Sequence, residues 1–289
     1  MKIIIPNISI PILFDIAQCF ESIAHLSNLD VSLWDVNTKS TMDAIDESRP
    51  DLVFIYQSQL DMSFIKLCQE FNFKYVMVST EALPKNLPIQ PVGIITYEPS
   101  RHLFPTSNVI NIRPLTKIPQ IHNAKYDKDM KSEVLFNTTG LTINNTIQEI
   151  LLYLISTYNT KIIGDASVGL HQYLGKVDMF ERANFIKSTQ IVVDMGGADY
   201  LDAAYLHIPA VSTAVSNNNS IILSFNNLST LTTHLNSVLN NSLVKDKYIE
   251  RCYKEACNNT SYHFTASLCN LIDEKSLSNT LSQYVKELI

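Results

Sequence analysis

The stretch QIVVDMGGADYLDAAYLHIPAVS, residues 190–212, carries the strongest structural signal in this chain. Its apolar run predicts a buried strand, Gly196 and Gly197 a turn, the residues from 199 a short helix, and those from 210 a second strand. Glycine has no Cβ, so the backbone of such a turn can approach a ligand closely. The free N–H groups at the start of the helix would point back at the turn, which suits a phosphate.

Two carboxylates flank the predicted turn. Asp202 lies one turn inside the helix, within reach of a ribose hydroxyl, and Asp194 closes the strand, where it could orient the glycines. Each has a plainer interpretation, Asp202 as a solvated helix carboxylate and Asp194 as a turn cap. The chain has seven glycines, of which six lie between 140 and 197. A phosphate-binding loop is therefore expected in the second half of the chain.

A second turn of suitable composition occurs earlier in that half. Asn137, Thr138, Thr139 and Gly140 follow a predicted strand and precede a strongly apolar predicted helix. A turn in this position could present backbone amides to a phosphate. The alternative is an ordinary strand–helix loop without a ligand.

Composition restricts the class of protein. The chain has 289 residues, of which 46% are hydrophobic and 17% charged, so two globular domains are expected. Residues 1–128 carry 11 basic and 13 acidic side chains and residues 129–289 carry 11 and 15. Neither half is basic, which does not favour nucleic-acid binding.

The cysteines and the apolar segments indicate the compartment. Five cysteines without CxxC spacing are expected to be reduced thiols in the cytoplasm, or in a host cytoplasm if the protein is viral. No signal peptide and no membrane span are predicted. The histidines lack metal-ligand spacing, and we expect no catalytic metal and no bound cofactor.

Strands and helices alternate in both halves of the chain. This order predicts two parallel sheets flanked by helices, with a proline-containing and charged linker at 114–132. The tail from 276 to 288 has an amphipathic helical pattern, and we expect it to pack back on the first domain. The predicted bounds are 1–128, 129–274 and 275–289.

Four segments of the second half, taken in order, resemble one family. They are YLGKVDMFERANFIKSTQIVVD (173–194), MGGADYLDAAYLHIPAVS (195–212), FNNLSTLTTHLNSVL (225–239) and 251–272. Together they resemble the GT-B glycosyltransferases and their fold relatives over roughly 135–289, while the likeness over 1–130 rests on strand–helix order. The resemblance implies an α/β protein with two Rossmann-like domains facing each other across a cleft.

The resemblance also implies a function. It suggests a metal-independent glycosyltransferase that moves a sugar from a nucleotide-diphosphate sugar, expected to be UDP-linked, to an unidentified acceptor such as a glycan or small molecule. Gly175 and Val177 would hold the nucleotide base through their backbone. A catalytic base is expected in the first domain, at the carboxyl ends of its strands, and the candidates are Glu81, Glu98 and His102.

The chain departs from the family pattern at three places. Asp202 stands where many members have Glu, His207 stands where Gly is common, and residues 138–145 contain no basic side chain. Three alternatives therefore stay open: a phage-type glycosyltransferase acting on modified DNA bases, a nucleotide-sugar epimerase or hydrolase of the same fold, and a non-catalytic nucleotide-binding protein.

Overall fold

The protein divides into two compact units. The first comprises residues 1–113 and 262–289, and the second residues 114–261. The predicted bounds thus differ from the observed ones at 114–128 and at 262–274. The computed structural model describes residues 1–7, 13, 16–17, 19–20, 29–79, 88–96, 108–111, 116–139, 141–164, 169–195, 199–213 and 223–288.

The first unit is built on a six-stranded parallel sheet. Its strand order is β2-β1-β3-β4-β5-β6. The central strand Leu52–Tyr56 is apolar along its whole length, and Lys74–Ser79 is apolar between its polar ends, as expected for parallel strands buried on both faces. The strands are β1 (Lys2–Asn7), β2 (Asp30–Asp35), β3 (Leu52–Tyr56), β4 (Lys74–Ser79), β5 (Gly93–Thr96) and β6 (Val109–Asn111).

Local sequence signals set the helix ends in this unit. Helix α1 (Thr41–Ser48) begins where the Ser40 side chain accepts a hydrogen bond from the Asp43 amide, and it ends at Arg49, which is left-handed with φ 47°. Helix α2 (Met62–Phe71) follows a short 3₁₀ turn (Gln57–Gln59) and has Asp61 as its N-cap. The two helices connect successive strands of the sheet.

The second unit contains a five-stranded parallel sheet of order β11-β10-β9-β7-β8. Its strands are β7 (Ser132–Asn137), β8 (Thr160–Ile163), β9 (Thr189–Asp194), β10 (Ala210–Ser212) and β11 (Leu223–Ser224). Its helices are α3 (Ile118–Ile121), α4 (Asn145–Thr157), α5 (Met179–Lys187), α6 (Asp199–Tyr205), α7 (Leu228–Asn240) and α8 (Ser242–Asn258). Each unit is thus a Rossmann-like α/β domain, as predicted.

The segment predicted as a linker is an integral part of the second unit. Ile118 and Ile121, on α3, are buried, at 1% and 0% exposure. Thr116 forms a short parallel bridge with Thr260, and the Lys117 amide donates to the carboxylate of Asp202. Two prolines and several charges suggested an exposed connection, but two isoleucines spaced by three residues are sufficient to anchor one helical turn in the core.

The C-terminal helices belong to the first unit from residue 262 onward. Helix α9 spans Ser261–Leu271 and α10 spans Lys275–Leu288. Leu277, Leu281 and Val285 on α10 are buried, whereas Tyr284, also predicted on this apolar stripe, is 43% exposed. The packing of this helix on the first domain is as predicted. Leu271 lies so close to Gly93 that a Cβ added there would lie 2.6 Å from its Cγ atom.

The contact between Gly93 and Leu271 gives a first prediction. Gly93→Ala should lower the free energy of unfolding by about 1–3 kcal/mol, because the new methyl group overpacks the site. In a Leu271→Ala background the same change should cost less, since the opposing side chain is gone. Urea denaturation of the four proteins measures this coupling, and an equal cost in both backgrounds would contradict the prediction.

Candidate functional site

The carboxyl ends of β7 and β9 bring two predicted site residues together. Asn137 and Asp194 are the last residues of these neighbouring strands and are paired in register. Both are buried, at 7% and 2% exposure. The Ser212 hydroxyl, at the end of β10, donates to the Asp194 carboxylate at 3.0 Å. Polar side chains at the carboxyl edge of a parallel sheet occupy the usual place for a ligand in this class of fold.

The turn after β7 is held firmly against β8. The Asn137 Oδ1 atom accepts a hydrogen bond from the Thr139 amide at 2.9 Å. The Thr138 amide donates to the Ile163 carbonyl at 2.7 Å, and its hydroxyl donates to the same carbonyl at 3.0 Å. The predicted turn residues 137–139 are therefore fixed by hydrogen bonds of their own.

Gly164, which was not among the predicted site residues, lies directly against this turn. Its φ is +122°, in the region that favours glycine. A Cβ here would collide with the Thr139 amide and would lie 2.6 Å from Thr138 Oγ1. The available signal was a glycine at the end of the predicted strand 161–164.

Gly175 lies beside the same strand end. The Gly164 amide donates to the Gly175 carbonyl at 3.0 Å, and the Leu174 amide donates to the Ile162 carbonyl at 2.8 Å. Gly175 has φ +91°, and the space around its missing Cβ is open. Val177, two residues further, is half-buried. The structure thus brings Gly175 to the edge that carries the Asn137 turn.

Asp202 occupies a different environment from the one predicted. Its carboxylate is fully buried, accepts from the Lys117 amide at 2.9 Å and pairs with Arg182 at 3.2 Å. The solvated interpretation is therefore wrong, and the partners of both oxygens lie inside the unit, which does not support contact with a ribose. The sequence could not show this because Lys117 and Asp202 are 85 positions apart.

Arg182 connects two acidic residues of α6. Its guanidinium contacts Asp199 at 3.3 Å and Asp202 at 3.2 Å. Asp199 is 2% exposed and also accepts a hydrogen bond from the Asn137 side-chain amide. Burial raises the pKa of Asp202 to about 6, against the opposing effects of Arg182 and the Lys117 amide.

His207 ends α6 in the position where glycine is usual. Its φ is 59°. The His207 amide donates to the Ala204 carbonyl, and the Ile208 amide donates to the Ala203 carbonyl. This pair of hydrogen bonds is the Schellman pattern of a helix end. The imidazole ring stacks on Tyr253 with 4.3 Å between ring centroids. This residue closes a helix.

Several predicted site residues lie outside the described part of the chain. They are Gly140, Gly196 and Gly197 among the donor-binding candidates, and Glu81, Glu98 and His102 among the catalytic ones. Their roles stay predictions. Within the residues that the structure describes, no group of three His, Cys, Asp or Glu side chains could hold a metal ion. In the same residues, no helix combines the length and apolar character needed to cross a bilayer.

Two glycines at this edge give a matched pair of variants. Gly164→Ala should destabilise the protein by roughly 2–5 kcal/mol, because it combines an unfavourable backbone conformation with a steric collision. Gly175→Ala should cost only the backbone contribution, about 1–2 kcal/mol, since the space beside it is open. Chemical denaturation measures both, and equal losses would rule out the close approach at Gly164.

The raised pKa of Asp202 predicts a pH dependence. The folded state holds this proton more tightly than the unfolded chain, so the carboxyl group favours folding at low pH and loses that contribution as pH rises through about 6. Asp202→Asn removes the titration and keeps an acceptor for the Lys117 amide. The free energy of unfolding of the variant relative to wild type should therefore rise between about pH 4 and pH 7. Denaturation at several pH values measures it, and a constant difference would refute the burial effect.

Comparison with known proteins shows the fold. No protein-family model and no curated protein sequence matches the chain. The Anabaena HepE protein in complex with UDP is similar at a TM-score of 0.65 and 11% identity, over 94% of this chain and 99% of that one. Sucrose-phosphate synthase from Thermosynechococcus elongatus is similar at a TM-score of 0.61 and 8% identity, over 100% of this chain and 99% of that one.

A third solved structure is UDP-GlcNAc 2-epimerase from Neisseria meningitidis bound to UDP-GlcNAc. It is similar at a TM-score of 0.55 and 10% identity, over 93% of this chain and all of that one. Sequence identities this low support a shared architecture but not a shared activity. The chain thus has two Rossmann-like domains of the GT-B type.

Proposed function

We propose that the chain binds a UDP-linked sugar at the carboxyl edge of the second sheet and transfers the sugar to an acceptor hydroxyl. The carboxyl edge here means Asn137, Thr138, Thr139, Gly164, Gly175 and Asp194. The observation that carries the proposal is the convergence of these residues in a fold that holds UDP or UDP-GlcNAc in the similar structures.

The carboxyl edge has a compact backbone beside which a diphosphate can lie. The close approach at Gly164 keeps the turn at Thr138 and Thr139 compact, and Gly175 leaves open space beside it. The amides of Thr138, Thr139 and Gly164 already donate hydrogen bonds within the second unit. We therefore expect the predicted turn at 196–197 to supply the backbone amides, which are fixed dipoles that stabilise negative charge without rearranging during the reaction. During transfer, negative charge develops on the UDP leaving group.

The transfer itself needs a proton acceptor. The acceptor oxygen forms a bond to the anomeric carbon of the sugar while the bond from that carbon to the diphosphate breaks. The hydroxyl proton passes to a general base, for which Glu81, Glu98 and His102 are the predicted candidates. The absence of a catalytic metal likewise stays a prediction.

A second candidate is epimerisation or hydrolysis of the nucleotide sugar. The similar fold of UDP-GlcNAc 2-epimerase from Neisseria meningitidis favours this candidate. Both candidates share the binding of a nucleotide sugar, and they differ in whether an acceptor is required.

Binding is tested first, by thermal shift with UDP-, GDP-, ADP-, TDP- and CMP-sugars. A UDP-sugar at one hundred times its Kd should add about 2.7 kcal/mol to the stability of the native state. Uridine serves as the control without phosphate. Gly197→Val should abolish the shift, because a side chain in the predicted glycine turn would block the backbone amides. Failure of every nucleotide sugar would overturn the proposed binding.

Turnover then separates the two activities. Release of UDP that requires an added acceptor supports glycosyl transfer, whereas a new sugar epimer or UDP released without acceptor supports the second candidate. Chromatography of UDP-GlcNAc and UDP-glucose incubations distinguishes these products. Binding without turnover in all incubations would contradict both activities and favour a non-catalytic nucleotide-binding protein.

A further inference from the structure

The residues around the carboxyl edge pose an electrostatic problem for an anionic ligand. Asp194, Asp199 and Asp202 are all at most 2% exposed. Buried carboxylates are poorly screened by water, and they repel a diphosphate over a longer range than surface carboxylates do. Something within the second unit has to offset their charge if a nucleotide is to bind here.

Arg182 supplies that charge from α5. Its guanidinium lies 3.3 Å from Asp199 and 3.2 Å from Asp202, and its side chain is 16% exposed. The planar fork of arginine can contact two carboxylates at once in a fixed geometry, whereas the ammonium of lysine is a compact charge without that geometry. One side chain therefore contacts both acids of α6 and offsets one of their two negative charges.

The same network of contacts extends to the Asn137 turn of the carboxyl edge. Asn137 donates from its side-chain amide to Asp199, and the Asn137 oxygen accepts from the Thr139 amide. Lys187, also on α5, donates to the Leu206 carbonyl at the other end of α6 at 3.1 Å. Helix α5 thus holds both ends of α6, and Arg182 is linked to the turn through two intervening side chains.

We propose that Arg182 is a positioning residue of the nucleotide site, which offsets part of the negative charge of Asp199 and Asp202 and so allows the carboxyl edge to accept a nucleoside diphosphate, a role that rests on the proposed function. Arg182 acts through Asp199 and needs no contact with the ligand. The ligand class is one that carries a diphosphate, and the effect should be smaller for the same nucleoside without phosphate.

The test is the Kd for UDP and for uridine, measured by titration calorimetry. Arg182→Met should weaken UDP binding by about tenfold or more, because it removes the positive charge that offsets the poorly screened buried carboxylates. Uridine binding should weaken less. Arg182→Lys should fall between wild type and Arg182→Met. Arg251→Met, at an exposed position on α8, is the matched control and should leave the Kd for UDP unchanged.

The double variant Arg182→Met/Asp199→Asn separates charge from a purely structural role. It removes one negative charge together with the guanidinium, so it should recover most of the lost UDP affinity. A structural role alone predicts no recovery. If Arg182→Met does not fold, the Kd of Asp199→Asn for UDP tests the proposal instead. This variant removes a negative charge, so it should bind UDP at least as tightly as wild type.

The outcomes distinguish this proposal from the proposed function. Wild type that does not bind UDP overturns both. Wild type that binds UDP, with Arg182→Met binding equally well, overturns only the role of Arg182. A tenfold loss in Asp199→Asn, or a double variant no better than Arg182→Met, would also overturn it.

Discussion

A guanidinium shared between two buried carboxylates organises the second unit. Arg182 meets Asp199 and Asp202 inside the protein, where neither acid is accessible to water. Loss of either partner would leave an uncompensated buried charge, which is costly, so this arrangement fixes α5 relative to α6. The Lys117 amide and the Asn137 side chain join the same network, and they tie α3 and β7 to it. The carboxyl edge of the sheet is positioned as a consequence.

The network reaches the carboxyl edge through the Asn137 side chain. Arg182 offsets part of the charge of Asp199 and Asp202 within the unit, and the Asn137 turn packs closely against Gly164. The Thr138 and Thr139 amides already donate within the unit, so the turn is fixed before any ligand binds. Residues 138–145 contain no basic side chain, and Arg182 on α5 supplies positive charge near this edge.

The sequence was informative where the signal was local. The alternation of strands and helices predicted both parallel sheets, and the stripe at Leu277, Leu281 and Val285 predicted the C-terminal helix on the first domain. Asn137 and Asp194 were selected separately and meet, because parallel strands end at one edge. The linker prediction differed, since the buried side chains of Ile118 and Ile121 in α3 draw that segment into the second unit.

The alternation and periodicity of apolar residues thus established the α/β class and the two-domain organisation, because these properties depend on neighbouring residues. The glycine positions predicted that a ligand would bind in the second half of the chain. The tertiary structure decided which acids face inward and which residue compensates them. Asn137 and Asp199 are separated by 62 positions, and Lys117 and Asp202 by 85. The burial and charge of a carboxylate depend on partners brought to it by folding, and no local pattern encodes them.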